Sequence, residues 1–193
     1  MELLEGEDLE ARLRAMAERG ERVDRRFLEE VLSPIVSTLE VAHSRGLVHR
    51  DLKAENIFLV DPAKGGGVRL LDFGFVKLLR APTITGQEMV AGSPDYIAPE
   101  TYLRGAAFVD ARADVYALGV LLFRALGGQL PFTGSLVEIL RDATSAPRPS
   151  LHALRPDLSP DVDAWVRQAL AIDPDNRFRT VNGTWRALRA CLP

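Results

Sequence analysis

The feature that most constrains the fold is a helix-length segment with almost no polar face. Across 110–126, Val115, Leu118, Leu122 and Ala125 recur at helical spacing amid further apolar residues, and Gly127, Gly128 and Pro131 close the segment. A helix that is apolar nearly all round cannot lie on a surface and has to be enclosed by other elements. The remainder of the chain must supply that coat, and 193 residues suffice for one domain with a sizeable core.

Much of the coat reads as amphipathic helix. Asp8 offers an N-cap to a helix carrying Leu9, Leu13, Met16 and Ala17, which stops at Gly20. A second helix over 24–45 places Phe27, Val31, Ile35, Leu39 and Ala42 on one stripe and ends at Gly46, a C′ glycine. Pro34 lies inside it, where a proline costs about 3 kcal/mol, and predicts a local kink. A short surface helix is expected over 137–143, then Ala146-Pro147-Arg148-Pro149 breaks the chain. Pro160 opens a helix with Val162, Trp165, Val166 and Leu170 on one face, and a last helix near 180–191 holds Val181, Trp185 and Leu188. Residues 1–6 read as a linker. Strand-like runs at 57–60 and 68–71 are joined by 61–67, which includes Gly65, Gly66 and Gly67. No helix and no Gly-Lys-Ser/Thr pattern follows these glycines, so they read as a hairpin turn and not a phosphate cradle. Residues 77–94 are polar, threonine-bearing and aperiodic, a long loop. The expected fold is α+β, mainly α: one domain with a small β-sheet at one edge.

A net charge of −3 gives no reason to expect nucleic acid or an anionic membrane as a partner. The single cysteine, Cys191, rules out an internal disulfide and suits a reducing cytoplasm. There is no run of about 18 apolar residues, and the acidic start Met1-Glu2-Leu3-Leu4-Glu5 is not a signal peptide. A soluble, cytoplasmic protein is expected.

The chemistry is concentrated in His49-Arg50-Asp51-Leu52-Lys53-Ala54-Glu55-Asn56. Flanked by the apolar pair Leu47-Val48 and the run 57–60, it reads as a polar loop between two short buried strands. Such a loop can hold Asp51 near a hydroxyl as proton acceptor, Lys53 near a transferring phosphate and Asn56 on a divalent metal, all tasks of phosphoryl transfer. His43 and His152 show no ligand spacing with one another or with Cys191, so no metal is expected at histidine.

The stretch resembles the catalytic loop of protein kinases, and Asp72-Phe73-Gly74 and Ala98-Pro99-Glu100 follow in that family's order. The lysine two residues after Asp51 resembles the serine/threonine (Hanks-type) branch. The resemblance implies a protein-kinase-like C-terminal lobe over 1–193, with 72–100 as its activation segment. It implies that Asp51 accepts the substrate hydroxyl proton, that Lys53 serves both catalysis and the nucleotide, and that Asn56 and Asp72 hold Mg²⁺. ATP contacts would come from Met1, Glu2, Leu4, Phe58, Leu71 and Lys53, with Met1-Glu2-Leu3-Leu4 as the hinge and Phe58 as the floor under adenine. Phe73 would pack in the core, and Gly74 would permit the turn. His49 is expected to be structural, beside Phe73 and bonded to Asp114. Ser93 would bond Asp51 and Lys53, and Glu100 would pair with a buried Arg177. Arg50 suits a loop ordered by phosphate on Thr83 or Thr85, with Lys77 assisting; those threonines are equally readable as merely solvated.

The family's small lobe, with its Gly-x-Gly-x-x-Gly loop, strand lysine and helix glutamate, is not found. The expectation is a serine/threonine kinase lobe inactive as an isolated chain, whose small lobe lies upstream or comes in trans, with apolar surface exposed around Met1, Leu3, Phe58 and Leu71. The alternative is a non-catalytic docking module that uses 77–94 and the helix near Val137. A protein bearing Ser or Thr is the expected substrate.

Overall fold

The computed structural model describes residues 4–72, 93–105 and 109–193. In chain order the regular elements are β1 (Gly6–Asp8), α1 (Leu9–Glu18), α2 (Arg25–Ser44), β2 (Ile57–Val60), β3 (Val68–Leu70), α3 (Pro99–Arg104), α4 (Arg112–Gly127), α5 (Leu136–Ser145), α6 (Leu151–Leu154), α7 (Val162–Ala169) and α8 (Val181–Arg189). Among the described residues no helix is long and apolar enough to cross a membrane.

Helix α4 is the centre. Every residue from Ala113 to Phe123 is buried, and α6, α7 and α8 pack around it. Each fully enclosed Leu or Val contributes about 1.5–3 kcal/mol relative to exposure. The end of α7 comes close at Gly119, where a Cβ would lie 3.0 Å from Leu170 Cδ2 and 3.1 Å from Ala169 Cβ and would make those side chains shift. Buried polar groups tie α4 to its coat. Arg124 donates to Glu10 of α1 at 2.9 Å, and Arg155 donates to the Val23 and Leu126 carbonyls at 3.2 and 3.1 Å.

The long helices follow their sequence signals. Asp8 and Asp24 each accept a backbone N–H at 2.8 Å, from Ala11 and Phe27, and the α2 stripe buries Val31, Ile35, Leu39 and Ala42. α2 is continuous through Pro34, which is exposed, so the bond the proline cannot make is given up on the solvent side. At its end Gly46 takes φ 74°, with Gly46 N–H on the His43 carbonyl and Leu47 N–H on the Ala42 carbonyl. This is the paired bonding that satisfies the last carbonyls of a helix.

That closure corrects one expectation. Leu47-Val48 forms no strand, and Leu47 is 43% exposed, because the turn at Gly46 spends the Leu47 N–H on the helix end. A second correction concerns the presumed linker at 1–6. Gly6 begins β1, which pairs antiparallel with β2 in the register Gly6↔Val60, Glu7↔Leu59, Asp8↔Phe58. Strand β3 pairs on the other side of β2, giving the order β1-β2-β3. Gly6 sits at φ 149°, and a Cβ there would be 2.1 Å from the Leu59 carbonyl oxygen, so the pairing needs glycine. The β2–β3 connection is ordered by Asp61, which accepts from Ala63 N–H at 2.8 Å, and by left-handed Gly65, Gly66 and Gly67. Helices α3 and α6 are too short to show a period in sequence.

Candidate active site

The 49–56 loop is hung from α4 by one carboxylate. Asp114, 1% exposed, accepts the backbone N–H of His49 at 2.8 Å on Oδ2 and that of Arg50 at 2.9 Å on Oδ1. The third partner is the ring of His43, whose Nε2 lies 2.7 Å from Oδ2. A buried carboxylate needs such donors, and here they fix the loop in a conformation that puts Arg50 at φ 66°. The expected link between His49 and Asp114 is made by the His49 backbone. The histidine ring on Asp114 belongs to His43, which sequence reasoning did not single out. Its one signal is a place at the edge of the α2 stripe, four residues after Leu39.

The His49 ring joins the loop to the strand end that precedes Asp72. Its Nδ1 accepts the Asp51 N–H at 3.3 Å, and Nε2 donates to the Leu71 carbonyl at 3.0 Å. The partners settle these roles, since an amide N–H only donates and a carbonyl only accepts. Both nitrogens are engaged by backbone, so His49 is not placed as a base.

Asp51 is held from two sides. Asn56 donates Nδ2 to the Asp51 carbonyl at 2.7 Å and to its Oδ2 at 3.0 Å, while Lys53 Nζ lies 3.8 Å from Oδ1. Lys53 also donates to Ser93 Oγ at 3.4 Å; among the described residues Ser93 makes no bond to Asp51. A cavity of about 30 Å³, lined by Asp51 and Ser93 among others, has room for a water or a hydroxyl. Next to Ser93, burial pushes the Asp95 carboxyl above its ordinary range.

Asp72 lies beside Asn56 because the Leu71 N–H donates to the Asn56 carbonyl at 2.8 Å. It is exposed, takes φ 50°, and its carboxylate has no partner among the described residues. With Nδ2 of Asn56 spent on Asp51, the amide oxygen has no partner among the described residues. One amide oxygen and one carboxylate form a hard-donor pair of the kind that suits magnesium. Leu4, Phe58 and Leu71, each partly buried, stand before β1, on β2 and just after β3. Met1, Glu2, Leu3, Phe73, Gly74, Lys77, Thr83 and Thr85 lie outside the described residues.

Behind the site, Ala98-Pro99-Glu100 is anchored by Arg177. Its guanidinium meets Glu100 twice, at 2.8 and 2.6 Å, and the Tyr116 ring at 5.0 Å.

Comparison with known proteins identifies the family. The sequence model described as protein kinase domain matches residues 1–184. The chain belongs to the serine/threonine protein kinase family. This kinase chain is 37% identical, over its whole length, to serine/threonine-protein kinase Pkn1 of Myxococcus xanthus, and spans 27% of that protein. It is 38% identical to PknL of Mycobacterium tuberculosis over 92% of the chain, which is 43% of that protein. The crystal structure of the Mycobacterium tuberculosis PknI kinase domain superposes with a TM-score of 0.72 at 29% identity, covering 98% of this chain and 64% of that one. The kinase chain therefore spans less than half the length of these two curated relatives.

Proposed function

We propose that this chain is the large lobe of a protein kinase that transfers the γ-phosphoryl group of ATP to Ser or Thr hydroxyls of a partner protein in the cytoplasm. The observation that carries the reading is the Asp51 carboxylate held between Lys53 and Asn56, with the Asn56 backbone carbonyl bonded to the Leu71 N–H next to Asp72. Asp51 orients the hydroxyl and accepts its proton at the carboxylate. Lys53, held by Ser93, sets a positive charge beside the hydroxyl and offsets charge building on the transferring group. Asn56 and Asp72 would hold Mg²⁺, which when bound neutralises phosphate charge. Asp114, through the backbone of His49 and Arg50, keeps Asp51 in place. Leu4, Phe58 and Leu71, with Met1 and Glu2, would contact the nucleotide from below. The cover over the phosphates would come from a small lobe, upstream or in trans, and the chain alone is expected to transfer little phosphate.

The test is transfer of labelled phosphate from ATP to casein by the longest open reading frame that contains this chain, with and without Asp51→Asn. Loss of proton acceptance should lower the rate by about 10²-fold or more. Equal rates for the two proteins would overturn the role of Asp51. No transfer by either, with a glycine loop and strand lysine present upstream, would favour a docking module.

A further inference from the structure

Away from the 49–56 loop, a cleft of about 640 Å³ opens between the end of α3, the segment after α5 and the turn after α7. That volume lies in the range of ligand pockets. None of its lining residues belongs to the loop, and Asp72 is not among them. Its positive charge is supplied by two arginines. Arg148 is half-buried and rests on carbonyls: Nε on Leu170 at 2.6 Å, Nη1 on Ala146 and Asp142 at 2.7 and 3.3 Å, and Nη2 on Ala143 at 2.9 Å. Its guanidinium lies over the Phe132 ring at 5.3 Å, no carboxylate pairs with it among the described residues, and one Nη2 hydrogen remains unused. A guanidinium so desolvated and unpaired favours an incoming anion more strongly than a surface cation does. Arg167, in the same lining, is exposed and has no partner among the described residues.

The acidic groups of the cleft are partly committed. Glu100 is consumed by Arg177, and Asp173 accepts the Asp175 N–H at 3.0 Å. Its rim carries Leu103, 63% exposed, and Ile172, 36% exposed. Cations without a carboxylate partner among the described residues, beside exposed aliphatic side chains, match a ligand that carries carboxylates and aliphatic groups together.

We propose that this cleft docks an acidic, leucine- or isoleucine-bearing segment of a partner protein, with a carboxylate taken up by Arg148 and Arg167 and an aliphatic side chain over Leu103 and Ile172. The proposal goes beyond the catalytic reading and does not depend on it, because binding is measured without ATP.

A short fluorescein-labelled peptide alternating glutamate and leucine, with a lysine–leucine peptide as control, is titrated with the chain and followed by anisotropy. The glutamate peptide should bind, and its affinity should fall as salt is raised. Arg167→Glu should weaken it about tenfold or more, equivalent to 1.4 kcal/mol, with thermal unfolding unchanged because Arg167 is exposed and has no partner among the described residues. Leu103→Asp should weaken it as well. Arg167→Gln, which removes charge without reversing it, provides the same comparison if the glutamate variant unfolds. Failure of the glutamate peptide to bind, equal binding by the lysine peptide, or affinity unaffected by loss of the Arg167 charge would overturn the proposal.

Discussion

Changing Glu100 to glutamine isolates the most heavily bonded charge among the described residues. Arg177 is 3% exposed, and all five of its N–H groups are used. Nε donates to Ala171 at 2.7 Å, Nη1 to Glu100 Oε1 and the Arg112 carbonyl at 2.8 and 3.0 Å, and Nη2 to Glu100 Oε2 and the Ile172 carbonyl at 2.6 and 3.1 Å. Glutamine keeps the shape but presents an amide N–H₂ to a guanidinium N–H, so one bond becomes a donor facing a donor. The arginine cannot lose its proton or reach water, and its charge is left uncompensated. Breaking a buried pair this way costs about 3–5 kcal/mol, a large part of the roughly 5–15 kcal/mol that stabilises a typical domain. With a urea dependence of about 2 kcal/mol/M, a loss of about 4 kcal/mol moves the unfolding midpoint by roughly 2 M. Urea titration followed by far-UV circular dichroism measures it. Arg177→Lys should fail similarly, because an ammonium with three donors cannot serve five acceptors. A midpoint shift for Glu100→Gln below roughly 0.3 M would refute the reasoning and show the pair to be effectively solvated.

Gly6→Ala would push a Cβ to within 2.1 Å of the Leu59 carbonyl oxygen, which is backbone and cannot swing aside. It should cost about 1–3 kcal/mol in the same urea assay, and an unchanged midpoint would mean that β1 does not pair as described. Asp114→Asn replaces a carboxylate that accepts from His43, His49 and Arg50, so a loss of about 3 kcal/mol and faster amide exchange at His49 and Arg50 are expected. Unaltered protection at those amides would contradict the clamp. Burial, as the first cause, raises Tyr96, Tyr102 and Tyr116 above the ordinary phenol value, Tyr116 to about 12. The folded chain then keeps protons that the unfolded chain releases, so stability is full below about pH 10 and falls as pH rises through about 12. Phenolate absorbance should rise together with loss of circular dichroism; smooth titration near pH 10 in a folded chain would disprove the burial.

Features whose cause is local were legible in the chain. Helix α4 announced its central place because a helix without a polar face has nowhere else to go, and α2 announced its stripe and its Gly46 stop. The chemistry of Asp51, Lys53 and Asn56 was readable because eight neighbouring positions carry the groups of phosphoryl transfer, and the ordered triplets downstream made a kinase the natural expectation. Glu100 with Arg177 could be paired ahead of the structure only through that resemblance.

What escaped depends on partners distant in the chain. Strand β1 is a glycine and two acids without alternation, and exists because β2 offers an edge and Gly6 tolerates contact with Leu59. Leu47-Val48 has the apolar character of a strand and lacks only a partner, its first N–H being spent on Ala42. His43 stands 71 positions from Asp114, and nothing local marks it as the ring that completes that carboxylate's donors. Arg148 and Arg167 look alike as letters, and only packing distinguishes a guanidinium seated on four carbonyls from one left in water. Periodicity, caps and reactive side chains act over a turn or a short loop and can be read from neighbouring residues. Strand pairing, buried polar partners and clefts are set by contacts between segments that meet only when α4 is enclosed.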